Sequence, residues 1–224
     1  MVWPTQVTTI PAIMVYCMTD ASAQLYLTAR FSQAIDYARH LHIETRKATN
    51  IPYMAHLLGV ASLVMGENGH APIPVTEDMA IAAILHDTVE DHGGMPRLRD
   101  IEHNFGTKVK QLVEGVTDSF AEDPNQKAPW EERKRAYVER LMGEELDVQL
   151  ISAADKLYNA RTILSDYRQI GDRVFDRFKR GGDKQLEYFK NLLRVFRQHP
   201  TNRIVDEFER VVEELDATMK ASKA

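Results

Sequence analysis

In the stretch Ile81-Ala-Ala-Ile-Leu-His-Asp-Thr-Val-Glu-Asp91, an apolar run is followed within six residues by one histidine and three carboxylates. Helical spacing puts His86 one turn from Glu90 and Asp87 one turn from Asp91, so all four side chains leave one side of the segment. The preceding run, Met79 to Leu85, reads as a buried helix, which carries the charge inward. Buried carboxylates without partners are costly. A bound cation, paired bases or an opening to solvent would relieve that cost, and a metal ion does so most simply.

Two further stretches offer matching chemistry. His56 lies about one turn into a helix that Pro52 can begin, and Asp155 lies in Ala153-Ala-Asp-Lys-Leu-Tyr-Asn-Ala-Arg-Thr162. With His86 and Asp87 they supply two imidazoles and two carboxylates from three separate helices. This nitrogen and oxygen set suits Mn²⁺, Fe²⁺, Zn²⁺ or Ni²⁺ better than Mg²⁺ or Ca²⁺. Four protein ligands would leave a six-coordinate ion room for water and substrate. Such an ion lowers the pKa of its water and neutralises charge on a phosphoryl oxygen. Glu90 could then accept a proton, with Asp91 as acid or orienting group, and the division of roles between them stays open. Arg46 and Lys47, just before His56, are the nearest positive charges, and Lys127, Arg133, Lys134 and Lys156 could also face a polyanion.

The elements that must position these groups all read as helices. Ala21 to His42 has the apolar spacing of an amphipathic helix, with His40 and His42 expected at the surface. Thr49 or Asn50 caps the His56 helix, which runs to Gly66. Thr76, with Glu77 and Asp78 in the first turn, opens the central helix, and Gly93-Gly94 closes it. Two shorter helices meet at Gly106, with His70 and His103 as surface residues. Asp118 to Trp130 reads as a mobile loop able to cover a substrate. In Leu146 to Leu164, Ser152, Asp155, Asn159 and Thr162 form one polar stripe that could face water or a cavity. Arg161, on the apolar side, requires a carboxylate partner and is expected to be buried. Asp172 to Gln198, interrupted by Gly181-Gly182, and a C-terminal amphipathic helix capped by Thr201 or Asn202 complete an all-α chain.

Composition sets the outer bounds. At 224 residues and 44% apolar, the chain can bury a full core. One cysteine, Cys17, excludes an internal disulfide framework and suits a reducing, cytoplasmic setting. A net charge of −5 argues against nonspecific nucleic-acid binding, so an anionic ligand needs a local basic pocket. No apolar run is long enough for a membrane span. Neither a glycine-rich phosphate loop nor a Gly-x-Ser-x-Gly elbow is present. Residues 1–20 read as a poorly ordered extension, 21–200 as the catalytic domain, and 201–224 as a helix packed on it.

The motifs resemble those of the HD-domain metal phosphohydrolases. Within them the likeness is to the hydrolase domain of RelA/SpoT proteins and its stand-alone form, the small alarmone hydrolases, which include the animal SpoT homologue. The matching residues are Arg46-Lys47, Pro52-Tyr53 with His56, His86-Asp87 with Glu90-Asp91, and Asp155-Lys156-Leu157 with Asn159 and Arg161. The resemblance implies an HD-domain helical bundle. It implies one Mn²⁺ held by His56, His86, Asp87 and Asp155, with Glu90 and Asp91 handling water and proton. Arg46 and Lys47 would flank the purine, Asn159 and Thr162 would meet ribose or base, and Tyr53 and Lys156 would join the substrate contacts. The implied reaction is removal of pyrophosphate from the 3′ position of guanosine tetra- or pentaphosphate. Too few residues follow Asp155 for a synthetase domain. A phosphohydrolase of NADPH or an adenosine alarmone, and a catalytically silent nucleotide-binding regulator, are the alternatives. Departures from the pattern are Leu57 for a proline, His92 for a threonine, and an Arg-Lys loop one residue longer.

Overall fold

The computed structural model describes residues 24–123, 126–178, 180–200 and 202–223. Cys17, Thr201 and the proposed extension 1–20 lie outside them. Among the described residues every regular element is helical, apart from an isolated antiparallel bridge between Thr45 and Pro52. The helices are α1 (Ala29–Leu41), α2 (Tyr53–Gly66), α3 (Glu77–Leu85), α4 (Thr88–Asp91), α5 (Gly94–Phe105), α6 (Thr107–Val116) and α7 (Trp130–Leu141). They continue as α8 (Leu146–Ile170), a 3-10 helix (Gly171–Arg177), α9 (Gly181–Phe196) and α10 (Arg203–Lys223).

Helix α3 is the axis of the N-terminal half. Thr76 accepts a hydrogen bond from the Met79 amide at 3.3 Å, and Glu77 and Asp78 complement the helix dipole. Every residue from Met79 to Leu85 is buried, because α1, α2, α6 and α8 enclose it. The 25-residue α8 is the second axis, packed on α2, α6 and α10. Phe208, Val212 and Leu215 of α10 are buried, and the Asn202 side chain caps α10 through the Val205 amide at 3.0 Å.

Several expectations shift. Helix α1 starts at Ala29 rather than Ala21, because Thr28 caps it by accepting from the Arg30 amide. Thr49 bonds Arg46 and Ile51 in a turn instead of capping α2, whose N-cap position is Pro52. The central helix breaks at His86-Asp87 between α3 and α4, which re-aims the two side chains toward α2 and α8. Arg161 does find a carboxylate, Glu207 of α10, but the pair is partly exposed rather than buried.

Close packing of α2 on α8 rests on Gly59. A Cβ there would meet the Tyr158 ring at 2.1 Å. That ring packs edge-on to His56, and its hydroxyl donates to the Ala55 carbonyl at 3.2 Å. Gly59→Ala is expected to cost about 1–3 kcal/mol through overpacking. At about 2–4 °C per kcal/mol for a chain of this size, the thermal midpoint should drop measurably. An unchanged midpoint would show that Tyr158 relaxes freely.

Candidate metal centre and substrate cavity

Three helices converge where α3 breaks. His86 Nδ1 donates to the Ala83 carbonyl at 2.9 Å, so Nε2 is the nitrogen that faces the cluster. His86 Nε2 lies 3.2 Å from His56 Nε2, 3.1 Å from Asp87 Oδ2 and 3.6 Å from Asp155 Oδ1. His56 Nε2 lies 3.3 Å from each of those carboxylate oxygens. Atoms that share an ion at about 2.1 Å stand roughly 3.0 Å apart at right angles and roughly 3.4 Å apart at tetrahedral angles. His56, His86 and Asp87 therefore have the spacing of a common coordination sphere that fits a divalent metal, and Asp155 lies within reach of both imidazoles.

The electrostatics agree. Burial opposes charge on His86, but Asp87 and Asp155 outweigh it and raise the imidazole to about 10. Burial also opposes ionisation of Asp155, yet the Lys156 ammonium and the two imidazoles hold it well below the usual carboxylate range. Asp87 is likewise held low by His86 and His56 against its burial. Without an ion, protons and Lys156 supply the positive charge that the cluster demands.

Neighbouring side chains extend this centre in two directions. The Tyr53 hydroxyl donates to Asp87 Oδ2 at 2.6 Å and lies 3.3 Å from Asp91 Oδ2. Asn159 Nδ2 donates to Asp155 Oδ1 at 2.6 Å, and Asn159 Oδ1 accepts from Arg46 at 2.5 Å. The Arg46 guanidinium lies over the Tyr53 ring, 5.3 Å from its centroid. Lys156 bonds Asp155 and lies over the Tyr137 ring, while Ser152 meets the Tyr137 hydroxyl at 2.7 Å. The polar stripe of α8 thus faces inward, to the centre and a cavity beside it.

That cavity, of about 360 Å³, is lined by Arg46, Lys47, Tyr53, Lys156, Asn159 and Thr162. All six substrate candidates from the sequence meet there. Trp130, Arg177, Gln185 and Tyr188 line it too. They belong to α7, the 3-10 helix and α9, and no local motif marks them. Trp130 packs edge-on to Tyr188, and the Lys134 ammonium lies over the same Tyr188 ring. A second cavity of about 580 Å³ adjoins the first at Lys47, Trp130, Phe178 and Gln185, and adds Lys127, Arg133 and Arg180. Despite the acidic average, the basic charge gathers here.

Glu90 and Asp91 sit at the rim. Lys127 reaches Glu90 at 3.1 Å and Asp91 at 3.6 Å, and Arg133 reaches Glu90 at 3.4 Å. Asp118, a buried acid the motifs did not single out, binds Arg133 and Lys134. Burial and the adjacent Asp118 carboxylate push Glu90 up to about 7, while Lys134 overrides burial and holds Asp118 low. One proton shared between two facing carboxyls has this signature. Burial and Asp87 also raise Asp91. Asp118 and Lys127 both meet Glu90.

Residues 34–178 match the family described as HD domain. The chain belongs to the HD-domain family. Among its relatives is the mouse guanosine-3′,5′-bis(diphosphate) 3′-pyrophosphohydrolase MESH1, 38% identical over 137 residues, which are 60% of this chain and 70% of that protein. A solved metazoan orthologue of SpoT that hydrolyses ppGpp superposes with a TM-score of 0.62 at 26% identity, covering 88% of this chain and 97% of its own. The Listeria monocytogenes protein lmo0812 superposes at 0.59 and 27% identity, covering 74% and 99%. Among the described residues no helix is long and apolar enough to cross a membrane.

Proposed function

We propose that this HD domain is a metal-dependent hydrolase that removes pyrophosphate from the 3′ position of guanosine tetra- or pentaphosphate, leaving GDP or GTP. The observation that carries the reading is the continuity of centre and cavity. Asn159 joins Asp155 directly to Arg46, so a nucleotide held by Arg46 and Lys47 presents its phosphates to the four-ligand cluster. The relatives named for this activity support the same substrate. Mn²⁺ is the proposed ion, held by His56, His86, Asp87 and Asp155, because two nitrogens and two oxygens with open positions suit it. When bound, it supplies a polarised phosphoryl oxygen and a water of lowered pKa.

The chain's own residues do the rest. Glu90 takes the proton from the attacking water, and Asp91, oriented by Tyr53, positions that water. Lys127 and Arg133 stabilise charge on the pyrophosphoryl group as water attacks its phosphorus, and Glu90 returns the proton to the ribose 3′ oxygen as the O–P bond breaks. Tyr188 gives the base apolar contact. The cytosol is the proposed location.

Mn²⁺-dependent release should be assayed on guanosine and adenosine alarmones side by side with NADPH, resolving pyrophosphate from phosphate. Pyrophosphate from the guanosine substrates is expected. Phosphate alone, or turnover confined to NADPH, would overturn the reading.

Titration of Glu90 gives a second expectation. Its carboxyl lies at about 7 against an ordinary 4.5. A base must be unprotonated, so kcat/KM should climb as pH rises through about 7. Stability moves the other way, since a carboxyl raised on folding favours the folded state below its unfolded pKa and loses that contribution as pH rises through about 7. A pH profile that is flat across neutrality would contradict the assignment.

A further inference from the structure

His42, expected at the surface at the end of α1, is instead buried. Its Nδ1 lies 2.9 Å from Glu44 Oε1 and 3.1 Å from His92 Nε2, and the last two atoms are 3.6 Å apart. The two imidazole rings are nearly perpendicular, at 87° with centroids 4.3 Å apart. His42 Nδ1 carries at most one proton, so Glu44 and His92 cannot both be full hydrogen-bond partners of it, whereas a cation would be shared by all three atoms. These separations match those of the central cluster, and all three atoms lie within reach of one ion.

A second observation points the same way. Both histidines occupy helix C-caps, His42 on α1 and His92 on α4, with their amides bonded back to the Ala38 and Thr88 carbonyls. The negative end of the α1 dipole therefore meets the trio, and it favours a positive charge there. Glu44 and His92 are partly exposed, which leaves a path from solvent and open positions for water.

We infer that His42, Glu44 and His92 form a second divalent-cation site, separate from the central cluster. Two imidazoles and one carboxylate with open positions suit Zn²⁺, Co²⁺ or Ni²⁺. Tyr53 partitions the two sites. Its ring stacks on His42 at 4.8 Å and 11°, while its hydroxyl faces Asp87 and Asp91. An ion here would clamp the end of α1 to the end of α4, next to Asp91, and so fix one wall of the active centre.

Zn²⁺ bound per chain, counted by elemental analysis after equilibrium dialysis and by calorimetric titration, tests this. The wild type should bind two ions. His92→Ala and Glu44→Gln should each bind one, Asp155→Asn should bind one, and His92→Ala with Asp155→Asn none. Because His92 and Glu44 are partly exposed, their variants should keep the wild-type circular dichroism spectrum in chelator, which separates ligand loss from misfolding. A further readout is the melting temperature in Zn²⁺, where the wild type should gain more than His92→Ala does. One ion in the wild type, or two in His92→Ala, overturns the second site. Two ions in Asp155→Asn with one in His92→Ala would keep it and remove Asp155 from the ligands of the central site.

Discussion

Glu90→Gln should lower kcat by about 10²–10⁴, the usual contribution of a positioned general base, while KM and the bound ion stay near wild-type values. The side chain is nearly isosteric, and none of the four clustered ligand atoms belongs to it. What disappears is the one carboxyl at the rim that burial and Asp118 place at about 7. A group poised near neutrality gives and takes a proton with little driving force lost in either direction. Neutral glutamine cannot accept it, and Lys127 and Arg133 lose an anionic partner, so they become freer to hold phosphate. Substrate affinity should therefore hold or tighten as turnover falls, and the climb of kcat/KM through neutrality should vanish with it. Retention of full turnover by Glu90→Gln would remove Glu90 from the mechanism. Loss of the ion together with activity would make it part of the metal site instead.

The sequence displayed the parts of this site that helical spacing controls. The dyad His86-Asp87, the turn from Asp87 to Asp91, and the stripe Asp155-Asn159-Thr162 follow from 3.6 residues per turn. The family pattern then joined stretches that no local rule connects. Geometry now shows His56, His86, Asp87 and Asp155 within 3.1–3.6 Å of one another wherever a histidine is one of the pair. What spacing could not reveal depends on contacts between distant helices. His42 looked like a surface residue because it ends an amphipathic pattern, yet Tyr53, its stacking partner, comes from α2. Asp118 looked like one acid in a polar loop, yet Arg133 and Lys134 bury it. Trp130, Gln185 and Tyr188 reach the cavity because α7 packs on α9 and α9 on α8. The polar stripe of α8 was ambiguous for the same reason, since one periodicity serves water and cavity alike.

Asp155→Asn should abolish metal binding and turnover together, and it should also destabilise the metal-free chain. Asp155 Oδ1 lies near both imidazole nitrogens and accepts from Asn159, while Oδ2 is bonded to Lys156. The amide keeps the shape and loses the charge. An ion loses one of two anionic ligands, so holding a divalent charge in a buried site becomes much less favourable. In the chelated protein, Lys156 keeps its ammonium but has lost its carboxylate in a largely buried position. Removing one member of such a pair costs about 3–5 kcal/mol, visible as a lower denaturation midpoint. Because Asp155 is held well below its ordinary pKa, its contribution is present above the unfolded value of 3.8 and is lost as pH falls through the folded one. The gap between wild type and variant should therefore close on acidification. Lys156→Met added to Asp155→Asn separates the two consequences. It removes the stranded charge and should recover most of the midpoint, but it returns neither ion nor turnover. If the double variant stays as unstable as Asp155→Asn, the cost came from lost packing or the Asn159 contact. If either variant still binds metal at the central site, Asp155 is not among its ligands.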